Sequence, residues 1–465
     1  MAKVRKTVSH TRRRFLQAGL ATMAAPWFSP AASRGADGGD VPSQGPPGEL
    51  RVGFAQTDIT PPVGALMTGE GIPGGTGMED PLQARTLVAQ SGDRMIAIVG
   101  VDLVKIRFDL ADAAIAQASQ RTGIAHDAVL ICPSHTHSSP FIPMGGPNNK
   151  DYLSALPGLI ADSIEQACKS LQPARMLLGR SLVYEGIHNR RVVSKGDGLV
   201  LNTWLPKLND LQQTPQVLGT EGPIDPELWA ARFDALDGRV LGTLVNFSCH
   251  PALHSRLGRK WSADYPGVIA EQMAQAYGNQ AVCVFTQGAS GNVNPHTQGT
   301  PDWREKATVF AQAAIAAAKR AIPIGGPIAV DYARRDVQVP RRDPADQPPE
   351  AIARLGWRDP RGAAPPMRDV PVSAARIGPL GIATNAGELF VEWGLSVKQR
   401  SPFPHTIVSE LTNEWIGYEP TAQAFQHGGY EALAGVDFVP LEGIQKLVDT
   451  AVDLLQGLWS SGARA

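Results

Sequence analysis

Apolar and polar residues alternate with a period of two from Leu50 to Thr57, the mark of a half-buried strand, and Asp58-Ile59-Thr60-Pro61-Pro62 turns the chain after it. Two further apolar runs, Ala84 to Gln90 and Arg94 to Val104, are joined by Ser91-Gly92-Asp93 and predict a hairpin; helical periodicity follows from Asp109 to Arg121. Ala128 to Cys132 is a short, wholly apolar run, the pattern of a buried strand. It ends in Pro133-Ser134-His135-Thr136-His137-Ser138. The same order recurs where Leu241 to Phe247 runs into Cys249-His250-Pro251, and where Ala281 to Thr286 runs into Gly288-Ala289-Ser290-Gly291. Helix-like stretches at Tyr265 to Ala276 and Arg304 to Ala321 flank these strands, and Leu441 to Trp459 predicts an amphipathic helix that packs on the body. The pattern predicts an α/β fold, a mixed β-sheet flanked by helices. Lys195 to Gly222 and Val339 to Arg368 are polar and proline-rich and read as long loops.

Composition narrows the function classes. With 43 basic against 44 acidic residues the chain has no broad field to hold nucleic acid, so none is expected as a partner. The 48 glycines and 38 prolines imply many connections, where sites are usually assembled. Thr11-Arg12-Arg13-Arg14-Phe15-Leu16-Gln17, followed by an apolar run from Ala18 to Trp27 and the small residues Ala31, Ala32 and Ser33, has the form of a twin-arginine export signal. The expected organisation is a signal peptide over 1–35, a disordered leader over 36–48 and one catalytic domain over 49–462. The Tat export machinery is then a partner, and the location is periplasmic or secreted. No other stretch approaches the ~20 apolar residues of a membrane span. Cys132, Cys168, Cys249 and Cys283 form no C-x-x-C pair; an even count permits disulfides, although three of them sit at the ends of apolar runs, where a buried thiol is the simpler reading.

A His-x-His at a strand end suits a metal, because alternate residues of an extended segment point to the same side and neutral imidazole binds zinc. His135, His137 and His250 all follow apolar strands, so metal or acid/base roles are expected for them; His254 and His296 are candidates for supporting groups. There is no P-loop and no His-Glu-x-x-His helix.

Arg51-Val52-Gly53 through Asp58-Ile59-Thr60-Pro61-Pro62, then Arg85, Asp102, Ser134-His135-Thr136-His137-Ser138-Ser139-Pro140, Asn189-Arg190, Asn246-Phe247-Ser248-Cys249-His250-Pro251, Gly387-Glu388-Leu389 and Gly417-Tyr418 resemble the catalytic domain of the neutral, non-lysosomal ceramidases. The likeness covers most of the chain after the leader, and includes a second tyrosine, Tyr430, twelve residues after Tyr418. The resemblance implies one Zn2+ per chain held by His135, His250, Glu388 and Tyr418, with His137, Arg190 and Tyr430 lining the cleft for a small-molecule or lipid substrate. Taken singly, Glu388 also reads as a helix-start carboxylate and Tyr418 as a packed aromatic. An imidazole can carry a proton to a leaving amine, and arginine and tyrosine donors can hold a developing oxyanion, which is the chemistry of amide or ester hydrolysis.

One departure bears on mechanism. Where the family carries an active-site serine, this chain has Gly291-Asn292-Val293-Asn294-Pro295-His296, placing Asn294 at the serine position. An asparagine is no alkoxide nucleophile, so a covalent acyl-enzyme is excluded there while attack by metal-activated water is not. Asn294 keeps the ability to hydrogen-bond, and Ser290 reads as a turn cap. The family's C-terminal immunoglobulin-like domain is expected to be missing. The expected function is an exported zinc hydrolase cleaving an amide. A metal-dependent amidohydrolase or esterase of other specificity, and a non-catalytic metal-containing envelope binding protein, are the alternatives.

Overall fold

Eight segments of alternating or wholly apolar pattern line up side by side as one sheet: Arg51–Asp58 (β1), Gln83–Ser91 (β2), Arg94–Val101 (β3), Val129–Pro133 (β4), Gln172–Leu182 (β5), Glu227–Ala235 (β6), Val240–Phe247 (β7) and Val282–Gln287 (β8). Their order across the sheet is β8-β7-β6-β5-β1-β2-β3-β4, with the short Ile322–Pro323 pairing onto β5 as a ninth. The computed structural model describes residues 49–68, 74–142, 149–195, 200–202, 217–278, 280–342, 367–433 and 438–462. The expected signal peptide and leader, 1–48, lie outside the described residues.

The sheet is antiparallel through its middle and parallel at both ends, where β3 pairs β4 and β7 pairs β8. Parallel neighbours require a crossover, and each is a helix: Phe108–Thr122 (α1) between β3 and β4, and Asp264–Tyr277 (α3) between β7 and β8. Lys150–Lys169 (α2) packs with α1, and Trp303–Lys319 (α4) with α3. The two ends of the sheet approach each other. A Cβ placed on Gly100 of β3 would stand 2.5 Å from the carbonyl oxygen of Phe285 on β8, so only glycine fits there.

A second sheet follows in the order Val330–Pro340 (β9), Met367–Ile377 (β10), Leu380–Thr384 (β11), His405–Ser409 (β12). Its last pair is also parallel, with Val391–Arg400 (α5) as crossover. A short helix, Ala422–His427 (α6), precedes the tail helix Leu441–Gly462 (α7). Ile444, Leu447, Val448, Val452, Leu455 and Leu458 of α7 recur at helical spacing and bury against Val337, Val372 and Val408 of this sheet. Each such side chain removed from water contributes roughly 1.5–3 kcal/mol, which is what holds the tail on the body.

The α/β expectation and the strands at 51–58, 83–101, 129–133, 240–247 and 282–287 hold. The two predicted long loops need correction in part. Val200–Asn202 and Val217–Thr220 each pair with Arg191–Ser194, and Val339–Pro340 and Met367–Arg368 are the far ends of the β9–β10 pair. Backbone N–H and C=O groups close such ladders whatever the side-chain polarity, so the polar composition concealed them. The remainder of both segments lies outside the described residues. All four cysteines are free thiols, three of them buried.

Candidate metal and catalytic site

Three β-α-β crossovers end in one place. Val104 and Lys105 follow β3, His135 and His137 follow β4, His250 follows β7, Ser290 follows β8, Glu388 follows β11, and Glu410, Trp415 and Tyr418 follow β12. The carboxyl ends of parallel strands are where open α/β sheets gather ligands, because the chain there leaves the ladder and is available to shape a site. The third unit is tied to the first two by side chains. Asn413 caps the open edge of β4, accepting from Ile131 N at 2.7 Å and donating to Val129 O at 3.0 Å, and Asn246 of β7 donates to Val408 O at 2.8 Å.

His135 sits at φ 68, a left-handed conformation uncommon for a residue with a Cβ. That turn aims its Nδ1 at Val104 O, 2.6 Å away. His250 Nδ1 likewise lies 2.7 Å from Ser290 O. A carbonyl only accepts, so both Nδ1 atoms carry hydrogen and both Nε2 atoms present lone pairs. Those lone pairs converge on a single carboxylate oxygen: His135 Nε2 is 3.3 Å and His250 Nε2 is 3.4 Å from Glu388 Oε2. Burial first, then the charge of Arg190, pushes His250 down to about 3, so it is neutral at pH 7.

Two lone pairs aimed at a carboxylate repel unless a cation lies between them. The spacing fits one. A tetrahedral zinc with ligand arms of ~2.05 Å has ligand-to-ligand edges of about 3.3 Å. His135 Nε2, His137 Nε2 and Glu388 Oε2 are all buried and make no hydrogen bond, and the ligand nitrogens of His135, His137 and His250 lie within 4.8 Å of one another. The residues therefore fit a metal ion, with imidazole nitrogen and carboxylate oxygen as donors and the other ring N–H of His135 and of His250 tied to a backbone carbonyl, as metal-binding histidines usually are. Glu388 Oε1 is fixed by Trp415 Nε1 at 2.9 Å. Glu388 and Tyr418 face each other on adjacent short parallel strands, and burial together with the Glu388 charge keeps the Tyr418 phenol protonated.

Arg190 and Asn294 are brought beside this centre. Arg190 Nη1 is 3.1 Å from His250 Nε2 and donates to Asn294 Oδ1 at 3.0 Å; its Cζ lies 5.3 Å from the centre of the Tyr418 ring. Asn294 reaches this position because Val293–Pro295 pairs with Ile187–Asn189, laying the two segments side by side. Tyr430 stands edge-on to Tyr418 with ring centres 5.7 Å apart. Ser290 does more than shape a turn. Its carbonyl orients His250, and its hydroxyl donates to Glu410 at 2.6 Å while accepting from Gln287 at 2.7 Å, so the oxygen is committed and buried.

No protein-family profile matches the chain. Against the curated neutral ceramidase of Pseudomonas aeruginosa it is 23% identical over 184 residues, 37% of this chain and 25% of that protein. The match thus spans about a quarter of the curated relative's length. The crystal structure of neutral ceramidase from Pseudomonas aeruginosa superposes with a TM-score of 0.70 at 19% identity, covering 88% of this chain and 74% of that one. A ceramidase complexed with C2 gives a TM-score of 0.70 at 18% identity over 89% and 75%. The fold is that of neutral ceramidase. The curated match and the two structures together support a neutral ceramidase-like family.

On this neutral ceramidase fold His135, His137, His250, Glu388, Tyr418, Arg190, Asn294 and Tyr430 come together, whereas His254 bonds Ser138, His296 packs on His188, and Arg85, paired with Asp102, lines a cleft elsewhere in the fold. Five neighbours were not foreseen: Lys105, Arg256, Glu410, Trp415 and Glu431. Lys105 Nζ lies 3.4 Å from the centre of the Trp415 ring, and burial pushes it down to about 8. Glu410 is fully buried on the Ser290 turn, and burial raises its carboxyl well above the usual range. Glu431 is fully buried and accepts from Arg190 Nε at 2.8 Å and Arg191 Nη1 at 2.6 Å. Single charged or aromatic residues in mixed segments carry no periodic signal, so nothing in the sequence set these five apart.

Proposed function

We propose that the chain is a zinc-dependent amide hydrolase of ceramidase type, cleaving an N-acyl lipid or related substrate by water attack and exported through a twin-arginine signal. The observation that carries the metal is the pair of imidazoles locked in one tautomer and converging on Glu388 at 3.3 and 3.4 Å. His135, His250 and Glu388 would hold the ion, with Tyr418 as the weak fourth partner. A bound zinc polarises a carbonyl and lowers the pKa of its water to ~7.

The remaining chemistry falls to the chain's own side chains. Arg190, locked by Glu431 and Asn294, points one N–H at the centre, where negative charge develops on the carbonyl oxygen. Tyr430 offers a phenolic donor from the far side of Tyr418, and half-buried His137 can pass a proton to the departing amine. Asn294 acts as a positioning residue: it holds Arg190 and supplies no nucleophile, so cleavage proceeds without an acyl-enzyme.

The unpartnered His137 Nε2 favours a second arrangement, in which three imidazoles hold the ion. Metal analysis of the purified protein, alongside His135→Ala, His250→Ala and His137→Ala, with hydrolysis of a fluorogenic N-acyl-sphingosine on the same samples, tests both. The proposal expects about one zinc per chain, lost with activity in the first two variants. Zinc kept by His137→Ala assigns that residue to proton transfer; zinc lost makes it a ligand. A wild type without metal would sink the mechanism. Metal with no cleavage of any N-acyl substrate would leave the binding-protein alternative.

A further inference from the structure

We propose that Arg256 docks an anionic group of the substrate, so that the amide cleaved here carries a carboxylate or similar oxyanion close to the scissile bond. The inference rests on the hydrolase reading above and names its substrate class.

Arg256 lies on the turn after His254. Ser255, Arg256 and Arg259 all adopt left-handed backbone conformations, with φ of 39, 65 and 53, and Gly258 between them does the same at 60. Such conformations cost energy in residues with a Cβ, and runs of them concentrate where a side chain must be aimed. The turn is pinned to the histidine segment: Arg256 N donates to Ser138 Oγ at 2.7 Å, and that hydroxyl also meets His254 Nδ1 at 2.7 Å. Arg256 thereby hangs from the residue next to His137.

The guanidinium is half-buried, yet its side chain makes one long hydrogen bond, Nη1 to Thr68 O at 3.3 Å, and no ion pair among the described residues. A guanidinium offers five N–H donors in a planar fork, so most are unspent. Other arginines are better supplied: buried Arg376 donates from Nη1 to Leu458 O at 3.0 Å and from Nη2 to Gly378 O at 3.3 Å. Arg190 and Arg191 share Glu431, and Arg191 also binds Glu221. A cleft of about 430 Å³ elsewhere in the fold is lined by Arg85 and Arg304, but these are paired with Asp102 and Glu271 at 2.7 Å each, so it offers no spare cation. Taking an arginine partly out of water without a counter-ion is costly unless something else supplies the charge. Both ends of Arg256 thus meet the segment that follows His137, the backbone through Ser138 and the guanidinium through Thr68, whose N–H donates to Ser139 O at 2.9 Å. A neutral amino-alcohol there leaves the fork empty, whereas an amino-acid carboxylate fills it.

The test uses the zinc-loaded full chain with N-lauroylglycine, its neutral counterpart N-lauroylglycinamide, and N-lauroyl-aminomethylphosphonate. The proposal expects the wild type to favour the carboxylate over the neutral amide in kcat/KM by about 10- to 100-fold, the worth of one charged hydrogen-bonded contact. In Arg256→Gln this ratio collapses through KM; Arg256→Lys keeps part of it, having the charge without the fork. The phosphonate arm separates carboxylate from phosphate-like headgroups. Equal or reversed preference in the wild type overturns the proposal, as does a ratio unchanged in folded Arg256→Gln or lost only in Lys105→Gln. Calorimetry with N-dodecylglycine, which has no scissile bond, reads docking without turnover. Arg256-dependent binding with no cleavage of any amide would refute the hydrolase reading alone, and cleavage with no such dependence would refute the docking alone.

Discussion

Replacing Glu431 by glutamine should expose how the site is held in shape. The carboxylate is wholly enclosed, and burial pushes its pKa up, but Arg190 and Arg191 overcome that and keep it ionised. It receives Arg190 Nε at 2.8 Å, Arg191 Nη1 at 2.6 Å and Asn202 Nδ2 at 2.8 and 3.0 Å. Glutamine has nearly the same shape but no charge, and its amide nitrogen must face a guanidinium. Removing one member of a buried ionic cluster costs about 3–5 kcal/mol, because the partners stay buried without compensation. With an unfolding entropy of about 2.1 cal/mol/K per residue over a domain the size of 49–462, that loss lowers Tm by about 4–6 °C. Arg190 then loses the contact that fixes its plane, so kcat should fall, whereas zinc should remain because Glu431 touches no proposed ligand directly. Calorimetric melting, metal analysis and turnover on one preparation provide the check. A stability loss below about 1 kcal/mol would refute the view that this cluster organises the site, since that is the range of an exposed pair.

Gly291→Ala should loosen the metal centre from behind, since the new Cβ would lie 2.4 Å from the carbonyl oxygen of Glu388; we expect a loss of about 1–3 kcal/mol and about tenfold weaker zinc in competition with a chelator. Asp80, raised to about 6 by burial, favours its protonated form in the folded state, so its contribution is fully present below the unfolded pKa near 4 and is lost as pH rises through 6. Asp80→Asn should therefore gain up to ~3 kcal/mol relative to wild type between pH 4 and 7, read by denaturant titration at both pH values; an unchanged difference would refute the assignment. Asn294→Ala removes the acceptor of Arg190 Nη1 and should cost about 1.5–3 kcal/mol of transition-state stabilisation, with no acyl-enzyme detected by quenched mass spectrometry in either protein.

Much of this molecule is written locally. Periodicity of two marked β1, apolar runs bounded by turn residues marked β2, β3, β4, β7 and β8, and helical spacing marked α1, α3, α4 and α7, because each of these patterns depends only on neighbours along the chain. For the same reason the positions of His135, His137 and His250 at strand ends were legible, and through the family resemblance Glu388, Tyr418, Arg190, Tyr430 and Asn294 could be named. What only the tertiary structure decided is which groups meet. Glu388 confronts His135 and His250 because three β-α-β units point their carboxyl ends at one spot. Glu431 grips Arg190 across 241 residues of chain, and Arg256 is left without a carboxylate among the described residues while Arg190 and Arg191 share one. A charged side chain reads the same in sequence whether it is solvated, paired or waiting for a ligand, since the difference lies in the distances to groups remote along the chain and in the water that folding removes.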